Sequence, residues 1–133
     1  TEVNSLVADV DVFVSLHRAE GFGLVLAEAM LNHVPVVATN WSANTEFMNE
    51  ENACMVDYRL VTLEKEIPPY HKGCRWAEPD LQKAVDYIIR LKEDRDYYQK
   101  ISNTAYHYIK NELTINKIQQ IIMKRVENIS YGK

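Results

Sequence analysis

The chain has 133 residues, 47% of them hydrophobic and 26% charged, with a formal net charge of −4 at pH 7. That is enough for one domain with its own core, and an acidic balance with no basic stripe interleaved with aromatics excludes a general attraction to nucleic acid. No apolar run approaches the ~18 residues of a membrane span, the acidic start "TEVNSLVADVDVFVSL" is unlike a signal peptide, and Cys54 and Cys74 make no disulfide framework, so a soluble protein of the reducing cytosol is expected.

In chain order, "DVFVSL" (11–16) and "VPVVAT" (34–39) are β-branched runs too continuous for half-exposed strands, and they read as buried parallel strands. Between them "GLVLAEAMLNH" (23–33) puts Leu24, Ala27, Met30 and Leu31 at helical spacing, completing a βαβ unit. A helical turn is expected in "SANTEFMNE" and a third strand in "ACMVDY" (53–58). Residues 59–76, with Pro68-Pro69 and Gly73 and no clean period, read as a long loop. From 77 onward the chain reads as helical: one helix with Pro79 as its first residue and a stripe of Ala84, Tyr87, Ile88 and Leu91, a second from "DRDYYQ", and a third capped by Thr114. The alternation predicts an α/β fold with a Rossmann-like parallel sheet, followed by C-terminal helices, in a single domain over 1–133. Three strands are few for a parallel sheet, so a bare edge at "DVFVSL" is expected to seek another chain.

The stretch "AEGFGLVLAEAM" (19–30) carries the candidate site. Gly21 and Gly23 lack a Cβ, so a bulky anion can approach the amides around them at the first turn of a helix, where unpaired N–H groups and the macrodipole favour phosphate. An ordinary strand-to-helix turn also uses glycine. Glu28, about one turn into the helix, would not touch phosphate and suits a ribose diol, since a carboxylate accepts from both hydroxyls. Glu20 suits hydroxyls at the ligand's other end. Either glutamate also reads as a solvated surface residue.

The spacing of Glu20 and Glu28 resembles the Glu-x7-Glu signature of retaining glycosyltransferases of family 4, the group 1 transferases. The resemblance extends through "ADVDVFVSLHRAEGFGLVLAEAM", "VPVVATNWSANTEFMNEENACMVDYRL" and "WAEPD", about 80 residues in all. It implies the donor-binding, C-terminal half of a two-domain GT-B enzyme that moves a sugar from a nucleotide diphosphate sugar to an acceptor such as a growing glycan or a lipid-linked sugar. On that resemblance Glu20 contacts the donor sugar, the amides of Phe22, Gly23 and Leu24 beside Gly21 line the sugar and pyrophosphate, and Glu28 holds the ribose. No metal or other cofactor is implied. The acceptor domain and the Arg and Lys pair that neutralises the departing diphosphate are expected upstream of Thr1, so residues 1–133 alone are expected to be inactive. Ala43 stands where relatives often have glycine.

Other features carry less. Asp9-Val10-Asp11 imitates a metal-binding D-x-D but precedes a strand in the GT-B register. Glu20 and Glu28 share one loop-helix unit, which does not suit a glycosidase pair. His17, His33, His71 and His107 show no zinc spacing with the cysteines; His17, at the end of the first strand, is kept as a donor to sugar or phosphate, or as a packing residue. Tyr97, Tyr98, Tyr106 and Tyr108 read as helix-packing residues. Lys117, Lys124 and Arg125 offer a contact to anionic lipid at the inner face of the membrane, or a solvated face. The alternative functions are a non-catalytic nucleotide-sugar-binding module or partner subunit, and a sugar-nucleotide epimerase of the same fold.

Overall fold

The computed structural model describes residues 2–131, and the side chains of residues 5–129. Helix α1 (Glu2–Ala8) precedes strand β1 (Phe13–Ser15), helix α2 (Leu24–Leu31), strand β2 (Val36–Thr39), a 3-10 turn (Ala43–Glu46) and strand β3 (Cys54–Val56). Strands β4 (Tyr58–Thr62) and β5 (Arg75–Pro79) follow, then helices α3 (Leu81–Glu93), α4 (Arg95–Glu112) and α5 (Ile115–Tyr131). The first three strands form a parallel sheet in the order β1-β2-β3, with Val14 beside Val37 and Ala38 beside Met55. The mixed α/β fold with a three-stranded parallel sheet and C-terminal helices is the one the sequence predicts.

Period-2 alternation divides the core between the two faces of this sheet. Val36, Ala38 and Met55 pack with Leu26, Met30 and Phe47 on the face covered by α2, whereas Val37, Cys54 and Val56 pack with Ala84 and Leu91 of α3 on the other. Helix α4 serves both. Tyr97 and Tyr98 at its start belong to the α3 face, and Ala105 and Ile109 to the α2 face. The Tyr98 hydroxyl donates to the Asp11 carbonyl at 3.0 Å, just before β1, so α4 passes beneath the N-terminal ends of the strands. At the end of α2 the His33 N–H bonds to the Met30 carbonyl (3.2 Å) and the Val34 N–H to Ala29 (3.0 Å), a Schellman closure with His33 in the left-handed position at φ 59°. The His33 ring stacks on Tyr106 of α4 at 3.9 Å.

Three expectations need correction. Residues 59–76 are not an irregular loop: β4 and β5 pair antiparallel, Tyr58 opposite Pro79 and Thr62 opposite Arg75, and Pro68-Pro69 sit in a tight turn between Ile67 and Tyr70 at the tip. The hairpin lacks the apolar run of a core strand because β4 is mostly exposed. Pro79 ends β5 rather than starting a helix; Asp80 is the N-cap, its Oδ1 accepting from the Gln82 (3.0 Å) and Lys83 (3.1 Å) amides. Strands also stop earlier than their apolar runs, β1 covering only Phe13–Ser15 of 11–16. The cap at Thr114 is present, with Oγ1 accepting from the Lys117 amide at 3.2 Å.

Candidate functional site

The loop between β1 and α2 lies at the C-terminal end of the parallel strands, the end where open α/β sheets take ligands. Gly23 is the N-cap of α2 at φ 88°, ψ 43°, a left-handed conformation that favours glycine, and it offers no capping side chain. A Cβ there would lie 2.9 Å from Leu26 Cδ1. The helical ladder begins with the Ala27 N–H on the Gly23 carbonyl at 3.1 Å, so the amides of Leu24, Val25 and Leu26 fall in the turn that a helix cannot satisfy internally. Gly21 has no heavy atom within 4 Å of the position its Cβ would take, so the fold itself does not demand glycine there.

Glu20 folds back over this turn. Its Oε1 accepts from the Gly21 amide at 2.9 Å and the Gly23 amide at 3.1 Å, which makes it the anion the helix start already holds. Of the three amides expected to line a donor, that of Gly23 is therefore engaged; those of Phe22 and Leu24 have no partner among the described residues. Glu20, Phe22, Gly23 and Leu24, with Phe13 and Ser15, line an open cleft of about 440 Å³. The half-exposed Phe22 ring rests on the buried Phe47 at 5.2 Å.

Glu28 is partly buried on the α2 face shared with Leu24; its carbonyl accepts from Asn32 Nδ2 at 2.8 Å, while its carboxylate has no hydrogen-bond or ion-pair partner among the described residues. It opens on an adjoining groove of about 260 Å³ whose other walls are apolar: Phe22, Leu24, Ala27, Leu31, Ile109, Leu113 and Ile118. Glu20 and Glu28 thus face neighbouring recesses, divided by Phe22 and Leu24, which border both. Among the described residues no helix is long and apolar enough to cross a membrane, and no three metal-ligating side chains gather. Asp9 and Asp11 stand before β1, at the opposite end of the strand from Glu20.

The His17 Nε2 donates to the Trp41 carbonyl at 2.9 Å, since a carbonyl only accepts, and Nδ1 lies 3.2 Å from the Ser15 hydroxyl. Both ring nitrogens are thus engaged within the chain, tying the end of β1 to the loop after β2.

Several contacts at this end of the sheet escaped the sequence reading. Ser42, at φ 82°, ψ −160°, occupies a backbone region that is essentially glycine's and costs another residue about 1–3 kcal/mol. Its hydroxyl donates to the Glu20 carbonyl at 2.6 Å and accepts from the Glu20 amide at 3.4 Å. Arg18 makes a two-pronged contact with Glu78 of β5, Nε to Oε2 at 2.8 Å and Nη2 to Oε1 at 2.7 Å. That pairing raises the Arg18 pKa and holds Glu78 below the usual carboxylate range. The Ala77 amide also donates to the Arg18 carbonyl at 3.1 Å, so the hairpin is attached to the β1–α2 loop through both backbone and side chain. Glu78 borders a further recess of about 330 Å³ with Asp57, Arg59 and Asp80. None of these pairs has a signal in sequence: Arg18 and Glu78 are 60 residues apart, and Ser42 and Glu20 are 22 apart.

Residues 1–66 match the family model of glycosyl transferases group 1. No curated protein matches the sequence significantly. Among solved structures, the chain is similar to the C-terminal domain of a glycosyl transferase group 1 family protein, LpcC, from Francisella tularensis. The TM-score is 0.60 and the identity 25%, over 84% of this chain and 47% of that one. The chain thus spans about half the length of that solved chain. This protein is thus similar in sequence, over its first 66 residues, to group 1 glycosyl transferases, and in its Rossmann-like fold, over most of its length, to the C-terminal domain of one of them.

Proposed function

We propose that the chain is the donor-binding part of a retaining glycosyltransferase of family 4, holding a nucleotide diphosphate sugar whose sugar passes to a glycan or lipid-linked acceptor. The carrying observation is the start of α2, where Leu24, Val25 and Leu26, whose amides no side chain caps, line the cleft together with Glu20. The amides of Phe22 and Leu24 and the positive end of α2 stabilise the diphosphate. Glu20, with Oε1 held by the Gly21 and Gly23 amides, offers Oε2 to a donor-sugar hydroxyl. The Glu28 carboxylate, without a partner among the described residues, accepts from the ribose diol in the adjoining groove.

In this reading the protein's contribution is to orient the donor and to stabilise the leaving diphosphate, with no metal, while a donor phosphate oxygen helps deprotonate the acceptor on the face from which the diphosphate departs. His17 acts on the donor indirectly, by holding the Trp41 loop. The acceptor is bound by a further domain, so these 133 residues alone are inactive. The setting is the cytoplasmic face of a membrane, which Lys117, Lys124 and Arg125 of α5 meet through anionic lipid.

Titration with UDP and GDP, each with and without an attached sugar, tests this reading. Glu28→Ala is expected to weaken binding about tenfold or more, one charge-assisted contact being lost. Glu46→Ala, at an exposed position of the 3-10 turn, is expected to leave binding unchanged. Equal loss in the two variants overturns the ribose assignment.

A further inference from the structure

We propose that Ser42 is a positioning residue whose hydroxyl pins the backbone of Glu20, and so sets how the Glu20 carboxylate and the α2 start meet a nucleotide-sugar, a role that takes the donor-binding reading as given. Its backbone stands at φ 82°, ψ −160°, where glycine is at ease and a residue with a Cβ is strained. Glycine would fit that backbone and make neither contact with Glu20. Serine makes both: Oγ donates to the Glu20 carbonyl at 2.6 Å and accepts from its amide at 3.4 Å.

The strained residue is held in place from either side. The Ser42 carbonyl accepts from the Thr45 amide at 3.2 Å and the Thr45 hydroxyl at 2.8 Å. The preceding carbonyl, that of Trp41, accepts from His17 Nε2. From Ser42 the contacts run unbroken to the helix: hydroxyl to Glu20 backbone, Glu20 Oε1 to the Gly21 and Gly23 amides, and Gly23 as the N-cap of α2. A group that orients a binding carboxylate through its backbone acts on affinity without touching ligand, because small misplacements of a preorganised site are costly.

Two variants of the intact protein separate this role from a merely structural one. Ser42→Gly removes the hydroxyl and relieves the backbone; Ser42→Ala removes the hydroxyl and keeps the strain. Both are expected to speed amide hydrogen exchange at Gly21 and Gly23, and to weaken UDP-glucose or GDP-mannose binding about tenfold, although Ser42→Gly melts above Ser42→Ala. In a merely structural role affinity would follow melting temperature, and the glycine variant would bind better than the alanine one. Unchanged exchange at Gly21 and Gly23, or wild-type affinity in Ser42→Gly, overturns the proposal. If the wild type binds neither sugar nucleotide, the donor-binding reading fails by itself, and exchange alone decides whether Ser42 pins the loop.

Discussion

Substituting the two glycines of the β1–α2 loop one at a time separates what the fold needs from what a ligand needs. At Gly23 an added Cβ meets Leu26 Cδ1 at 2.9 Å and Cγ at 3.3 Å, with Asn44 Cβ at 3.5 Å, at a φ of 88°. The left-handed backbone costs an alanine about 1–2 kcal/mol. Crowding adds about 1 kcal/mol, because Leu26 is buried and has little room to give. The alanine's stiffer unfolded chain offsets about 0.5 kcal/mol. The net loss for Gly23→Ala is then about 2 kcal/mol, which in a domain of this size lowers Tm by about 6–10 °C. Gly21→Ala meets nothing within 4 Å and should change stability by less than about 0.5 kcal/mol. On the proposed donor-binding reading, its added methyl, between the cleft-lining Glu20 and Phe22, is expected to weaken nucleotide-sugar binding. Thermal unfolding followed by circular dichroism measures the first pair of effects, and calorimetric titration the second. A Gly23→Ala protein melting within about 2 °C of wild type, or a Gly21→Ala protein falling as far, would refute the reasoning.

Two further outcomes follow from contacts away from the glycines. Because Arg18 holds Glu78 below its ordinary pKa, their pair stabilises the fold at neutral pH and is lost as pH falls through the depressed Glu78 pKa. Wild type should therefore lose its Tm advantage over Arg18→Ala below about pH 4; the advantage is modest, as an exposed pair contributes at most about 1 kcal/mol, and one that grows in acid would contradict the assignment. Strand β1 has β2 on one side and no second strand partner among the described residues, with Val14 exposed along it. We expect concentration-dependent self-association in light scattering, reduced by Val14→Lys; a chain that stays monomeric at high concentration would contradict it.

The parallel sheet was readable because β2 and β3 are buried on both sides and leave uninterrupted apolar runs, as "VPVVAT" does around Val36–Thr39; "DVFVSL" reads as a buried strand as well, but β1 exposes Val14. The hairpin was not, because β4 exposes most of its side chains, and its pairing partner lies beyond a segment broken by Pro68-Pro69. Pro79 misled for a related reason: proline at a first helical position and proline closing an edge strand look alike until the pairing with Tyr58 is known. At the candidate site, the spacing of Glu20 and Glu28 marked both acids and the helix between them. It did not reveal that Glu20 bonds its own loop, nor that Phe22 and Leu24 wall one acid's recess from the other's. The contacts that hold this loop, Ser42 on the Glu20 backbone and Arg18 on Glu78, join residues remote in sequence and brought near only by the fold.

Helix α4 gives the molecule a further property. One continuous helix carries Tyr97 and Tyr98 into one half of the core and Ala105 and Ile109 into the other, so its loss thins both halves at once. Detaching α4 removes a support that α2 and α3 share, and frees the Asp11 carbonyl that leads into β1. The two half-cores are thus joined through a helix that also reaches the candidate site, where its Ile109 walls the groove beside Glu28.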